Sequence, residues 1–120
     1  MFSAQLLDHF QNPRNAGELE NADAVAQLEN PGCGDVVRLS LKLVDGRSLE
    51  VRFKAKGCVA AMACASAVAA LAHGKTLREA RALSRDDVLK AVGGLSEASV
   101  HASYLAIEVL SNALQQLSSS

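Results

Sequence analysis

Four side chains in this sequence pair a metal-ligating or nucleophilic atom with a setting that leaves the atom open. Cys33 stands between two glycines in "NPGCGDVVRL", residues 30–39, and Asp35 follows two positions on. Glycine on both sides lets the backbone turn sharply and leaves the thiol sterically open, which a cysteine kept only for packing does not need. Cys58 follows Gly57 where a strand pattern gives way to a helix pattern. A helix N-terminus, with Lys54 and Lys56 nearby, favours the thiolate, the form that both metal ligation and nucleophilic attack require. His101 is the one histidine off the apolar stripe of the last helix. Cys33, Asp35, Cys58 and His101 are therefore the candidate ligands, able to hold a tetrahedral zinc ion with mixed S, N and O donors as readily as iron.

The elements that must position them follow from periodicity. Val37, Leu39, Leu41 and Leu43 alternate with polar residues, as do Leu49, Val51, Phe53 and Ala55, and Asp45-Gly46 lies between the two runs. This is a β-hairpin. The odd-numbered residues of both strands must share the buried face, which sets Leu41 opposite Val51 and places the loop at Asp45, Gly46 and Arg47. Carried to the open end, the same register brings Cys58 opposite Gly34 and Cys33 opposite Val59. A weaker pattern from Ala22 to Leu28 suggests a short strand containing Val25 and Leu28, ahead of a turn at Asn30-Pro31-Gly32.

Helices occupy the rest. Leu6, Leu7 and Phe10 have helical spacing within residues 3–11, and Pro13 stops that helix at Asn12. The stretch "CVAAMACASAVAALAH" reads as an alanine-rich helix closed by Gly74, with Cys58 at its N-terminus. Thr76 with Glu79 caps a short helix to about Leu83, and Ser84 with Asp87 starts another that ends at Gly93-Gly94. The last helix is expected from Ser96 to Leu117 with Val100, Tyr104, Ile107, Leu110, Leu114 and Leu117 on one stripe. The final "SSS", residues 118–120, is expected to fray.

The other histidines and the third cysteine have structural readings. His73 and His9 are placed to meet carbonyls at helix C-termini, and Cys64 lies among Ala and Met as a small buried hydrophobe. Met62 and the alanine run are read as core, and Arg38, Lys42, Arg52 and Lys54 as the solvated face of the hairpin. With 21 alanines, no Trp, one Tyr and three Phe, the core is built from small and aliphatic side chains. The net charge of −1 gives no electrostatic footprint for nucleic acid and no basic face for a membrane. No apolar run suits a signal peptide or membrane span, so the expectation is a cytoplasmic protein of one domain, residues 1–120. An odd number of cysteines in a reducing compartment leaves metal ligation, a reactive thiol or plain packing before disulfides.

From "LLDHFQNPRNAGELE" through "GCGDVVRLSLKL", "RFKAKGC" and "AHGKTLREA" to the final helix, the chain resembles the IscU/NifU-type iron-sulfur cluster assembly scaffold family. The resemblance implies an α+β fold: a small antiparallel β-sheet with an alanine-rich helix and further helices packed on it. It implies a non-enzymatic scaffold that binds iron and a transient iron-sulfur cluster, of the two-iron two-sulfide kind, at one end of the sheet. Sulfur would come from a cysteine desulfurase, and recipient iron-sulfur apoproteins would take the cluster.

Carried over by position, Cys33 and Cys58 match the first two cysteine ligands, Asp35 the acid that keeps the cluster labile, and His101 the histidine before the third cysteine. That cysteine is absent. Where the family reads His-Cys, this chain has His101-Ala102 within "SVHASYL", so no persulfide can form at that position. A Leu-Pro-Pro-Val-Lys type stretch, which many members present to a chaperone just before the histidine, is replaced by "LSEASV". Cys33, Asp35, Cys58 and His101 still supply the four terminal ligands that a two-iron cluster needs besides its bridging sulfides. Zinc, or a single iron held for regulation or storage, remains the alternative cargo, and a sulfur-accepting thiol protein the alternative activity.

Overall fold

The hairpin is present in the expected register. A computed structural model describes residues 2–30, 32 and 34–117. Strand β2 (Asp35–Val44) pairs antiparallel with β3 (Ser48–Lys56), and Leu41 faces Val51 across residues 45–47. Asp45 and Gly46 both take positive φ, 55° and 68°, as a tight turn between right-twisted strands requires. Val37, Leu39, Leu41, Leu49, Val51 and Phe53 all turn to the buried face, so the alternation seen in sequence is the alternation between core and solvent.

Strand β1 (Ala24–Asn30) pairs antiparallel with β2 on the far side from β3, giving the order β1-β2-β3 among the described residues. The expected short strand containing Val25 and Leu28 is present. The β1–β2 pairs join even numbers to odd ones, Ala24 with Leu41 and Ala26 with Leu39, so the alanines enter the core and Val25 is turned out. Leu28, partly buried, stays on the core side.

The helices pack against the buried face. Helix α1 (Ala4–Gln11) is capped by Ser3, whose Oγ accepts the Leu6 N–H at 2.9 Å, and it ends at Asn12 as expected. Helix α2 (Val59–Ala72) packs on β3 and also on α1 and α5. All of it but Val59, Met62, Ala70 and Leu71 is buried, and its small side chains allow neighbours to approach closely on several sides. Met62, expected in the core, lies partly open at a surface cavity with His9, Phe10 and Phe53.

Short helices α3 (Leu77–Arg81) and α4 (Arg85–Ala91) connect α2 to α5 (His101–Leu117). Thr76 and Glu79 exchange side-chain and main-chain bonds of 2.9 and 3.1 Å at the start of α3. At α4, the Asp87 carboxylate accepts both the N–H and the hydroxyl of Ser84, at 2.8 and 3.2 Å.

Two expectations for α5 are corrected. Residues 97–100 form turns rather than helix, with Ser99 N–H bonded to Ser96 O and Ala102 N–H to Ser99 O, so the helix starts at His101. Of the expected stripe Leu110 and Leu114 are buried and Ile107 and Leu117 pack against the core, but the buried face also takes in Ala102, Leu105, Ala106, Val109 and Ala113, and Tyr104 is 55% exposed. Cys33 and the tail at 118–120 lie outside the described residues.

Candidate metal centre

Three chain segments meet at the open end of the hairpin. Asp35 is the first residue of β2, Cys58 precedes the first turn of α2, and His101 begins α5. The β2–β3 ladder ends at Val36 and Lys56, and one further step in the same register sets Gly57 against Asp35. The approach there is close: a Cβ on Gly57 would lie 2.8 Å from Asp35 Cα, and the residue has φ +127°. Only glycine suits both the conformation and the space. In the sequence Gly57 stands out only as a strand-to-helix junction, although the hairpin register aligns it with Asp35.

Cys58 caps α2 with extended backbone, and its Sγ accepts the Ala61 N–H at 3.4 Å. Asp35, 0% exposed, takes the Cys58 N–H on Oδ1 at 2.8 Å and sets Oδ2 3.5 Å from Cys58 Sγ. His101 Nε2 stands 3.6 Å from the same Oδ2. One donor atom from each of Asp35, Cys58 and His101 therefore lies within 4.8 Å of the others. Of the four candidate ligands these three are brought together, and Cys33 lies outside the described residues.

The protonation of Cys58 differs from the sequence expectation. Partial burial raises its pKa above the ordinary thiol value, the Asp35 carboxylate adds to the rise, and the N–H groups of Ala61 and Ala60 at the helix start only partly oppose it. Lys54 and Lys56, expected to favour the thiolate, are exposed and do not offset burial. The metal-free thiol is thus held protonated, and a cation placed among these donors would reverse the balance by favouring both thiolate and carboxylate.

The remaining candidates have structural roles. Cys64 is fully buried and its thiol is pushed up to about 12 by desolvation, with a contribution from Cys58. His73 Nδ1 accepts the Val51 N–H at 3.2 Å, which ties the end of α2 to β3 instead of serving a helix carbonyl. His9 likewise reaches away from its own helix, to Ser66 Oγ at 2.9 Å, and the same hydroxyl accepts the Arg14 N–H at 2.8 Å. Ser66 is fully buried and was not singled out in the sequence, where nothing distinguishes it from its alanine neighbours. Ala102, beside His101, is 1% exposed.

Chemically, an acid oxygen, a thiol sulfur and an imidazole nitrogen at these separations form a donor set for a transition metal or zinc. Donors bound to one tetrahedral ion at about 2.0–2.3 Å sit about 3.3–3.8 Å apart, and the contacts of 3.5 and 3.6 Å fall in that range.

The profile of the NifU-like N terminal domain matches residues 1–119. Two Archaeoglobus fulgidus proteins, iron-sulfur cluster assembly scaffold proteins IscU 1 and IscU 2, are each 43% identical over 114 residues, covering 95% of this chain and 74% of theirs. The iron-sulfur cluster assembly scaffold protein IscU of Escherichia coli K12 is 35% identical over 117 residues, covering 94% of this chain and 91% of its own. In shape the chain is similar to the N-terminal part of a nitrogen-fixing NifU-like protein from Brucella abortus. The TM-score is 0.78 at 22% identity, over 96% of this chain and 92% of that one.

Proposed function

The chain belongs to the NifU-like N-terminal domain family, and on that premise we propose that it is a scaffold on which an iron-sulfur cluster is assembled and held for transfer. The observation that carries this reading is the convergence of Asp35, Cys58 and His101 at one end of the sheet. Cys33, which sequence puts on the loop before Asp35, completes a set of four with them. The cluster is cargo and the protein a scaffold, not a catalyst. A two-iron two-sulfide cluster matches four terminal ligands, with two thiolates where the usual set is cysteine-rich. A cysteine desulfurase supplies sulfur and recipient apoproteins remove the cluster in this reading, in a cytoplasm whose redox poise keeps thiols reduced. Among the described residues no helix is long and apolar enough to cross a membrane. Residues 1–120 act as one domain.

Ala102 makes this a scaffold of altered lability, because the position after the histidine offers no sulfur. A second reading draws on the donor spacing itself: separations of 3.5 and 3.6 Å suit a single tetrahedral ion, zinc or one iron, held for regulation or storage.

Anaerobic reconstitution with iron and sulfide separates the two. Visible absorption and iron and sulfide content are read for the native chain, Cys58→Ser and Ala102→Cys. The native chain is expected to show cluster absorption, Cys58→Ser to lose it, and Ala102→Cys to retain its cluster longer. A normal cluster in Cys58→Ser removes the proposed site. Tight zinc with no cluster in the native chain, and a cluster only in Ala102→Cys, favours the single-ion reading.

A further inference from the structure

The two borders of the sheet are finished differently. Along β3, the outward N–H and C=O of Leu49 bond Lys75 O and Gly74 N, and those of Phe53 bond Asn15 O and Gly17 N, all at 2.7–2.9 Å. The Val51 N–H between them bonds His73 at 3.2 Å. From Leu49 to Phe53 that border is covered by the chain itself, and Ala55 is the one outward residue of β3 beyond the cover.

Along β1 only one end is closed. The Val25 N–H donates to Gln116 Oε1 at 3.2 Å, and the Val25 C=O accepts from Gln116 Nε2 at 2.7 Å. One primary amide from α5 thereby makes the two bonds that an added strand would make at Val25. It also fixes the phase of β1. Main-chain groups of a border strand point alternately to the partner and away, so Gln27 and Glu29 turn outward with Val25. Among the described residues nothing bonds their N–H and C=O on that side.

The open half of the border lies beside a groove of about 220 Å³ lined by Glu29, Asn30, His101, Tyr104, Leu105 and Glu108. Its wall carries Tyr104, the most exposed of the large apolar side chains, and two carboxylates, Glu29 and Glu108, that form no ion pair among the described residues.

We propose that the Gln27–Glu29 border is a docking edge for an extended, basic segment of another protein, which adds as a fourth strand with its side chains against the groove. Two open residues offer up to four main-chain bonds, the kind of contact by which sheets capture extended peptides. The unpaired carboxylates select Lys or Arg, and Tyr104, one face of whose ring already carries the Arg85 guanidinium 4.5 Å from its centroid, adds exposed apolar surface. Gln116 limits the added strand by occupying Val25, so the contact is short and reversible. The inference rests on the border and the groove and is independent of the cargo at the metal centre, although a segment docked there ends beside His101.

The test uses the metal-free chain and the synthetic peptide acetyl-Lys-Val-Thr-Val-Lys-amide, read residue by residue through NMR shifts and amide hydrogen exchange. At saturating peptide, exchange of the Gln27 and Glu29 N–H groups is expected to slow by about tenfold, with shifts at Asn30, Tyr104 and Glu108. Gln27→Pro removes an outward donor without touching the β2 ladder and is expected to abolish the effect. Glu29→Lys combined with Glu108→Lys is expected to weaken binding at least about tenfold and carries the test if the proline variant does not fold. The proposal is overturned if exchange at Gln27 and Glu29 is unchanged, or if acetyl-Glu-Val-Thr-Val-Glu-amide binds equally well. It is overturned too if shifts gather at the His9, Phe10 and Met62 cavity, or if protection appears without peptide and grows with protein concentration, which would make a second copy the occupant.

Discussion

Asp35 grips Cys58 with both carboxylate oxygens, Oδ1 taking the main-chain N–H at 2.8 Å and Oδ2 lying 3.5 Å from Sγ. The acid thus has a structural task and an electrostatic one, and substitution separates them. Asp35→Ala leaves the Cys58 N–H without its acceptor beside a small void and is expected to destabilise the metal-free chain by about 1–3 kcal/mol in urea titrations. Asp35→Asn keeps an oxygen for that N–H and should cost less. Both remove the negative charge that raises the Cys58 pKa, so the thiolate forms at lower pH. Alkylation by iodoacetamide at fixed pH is then faster than in the native chain, and an unchanged pH midpoint would contradict the assignment.

Gly57 is the position least able to accept a side chain. Gly57→Ala brings a methyl group to 2.8 Å from Asp35 Cα at φ +127°, so either the β2 start or the α2 cap must move. A loss of about 2–4 kcal/mol is expected, combining backbone strain with overpacking. Metal uptake should fall with it, and a variant as stable as the native chain would show that the close approach is not maintained in solution.

Burial pushes the Cys64 thiol up from its ordinary value of 9.0 to about 12. The folded state therefore binds the thiol proton more tightly. Stability from this group is full below pH 9 and declines as pH rises towards 12, by at most about 4 kcal/mol. Comparing native and Cys64→Ala chains by denaturant titration from pH 8 to 11 isolates it: the native chain should lose stability faster. In the native fold at pH 8, Cys64 should also resist alkylation while Cys58 reacts.

His9 behaves in the opposite sense at acid pH. Burial lowers its pKa below 6.5, with Arg14 adding to the effect against the opposing Asp8, so the unfolded chain takes up a proton more readily. The stability it confers is full above pH 6.5 and falls as pH drops through the folded pKa. The acid loss between pH 7 and 5 should be smaller in His9→Gln. Ser66→Ala, which deprives both His9 Nδ1 and the Arg14 N–H of a partner, is expected to cost about 1–3 kcal/mol at neutral pH.

What could be read in advance follows contrast between side chains. Leucines and valines alternating with charged residues leave one workable register, and the meeting of Asp35 with Cys58 is that register carried to its open end. Alanine gives no such contrast. In β1 nothing marked Ala24 and Ala26 as the core-facing residues, and in α5 Ala102, Ala106 and Ala113 widen the buried face beyond the stripe drawn through larger residues, to the side away from the exposed Tyr104. The start of α5 was misplaced because Ser96 resembles a cap while the next residues turn without entering the helix. Links such as His9 to Ser66 and Val25 to Gln116 join residues 57 and 91 apart by one and two bonds, and no periodicity announces them. The proton affinity of Cys58 depends on how deeply the folded chain buries its thiol, which a helix-end argument cannot supply.

The covered outer border of β3, bonded from Leu49 to Phe53, also bears on stoichiometry. A sheet open on both sides can relay strand pairing from copy to copy and grow without limit, which is how fibres begin. Here Asn15, Gly17, His73, Gly74 and Lys75 cover β3 from Leu49 to Phe53 and leave only Ala55 beyond them, too short a stretch for a second strand, so association through strands is directed to β1. Complexes formed by that route are expected to be one-to-one heterodimers or pairs of identical chains, and an unbound surplus of the protein is expected to stay short of polymers built through its sheet.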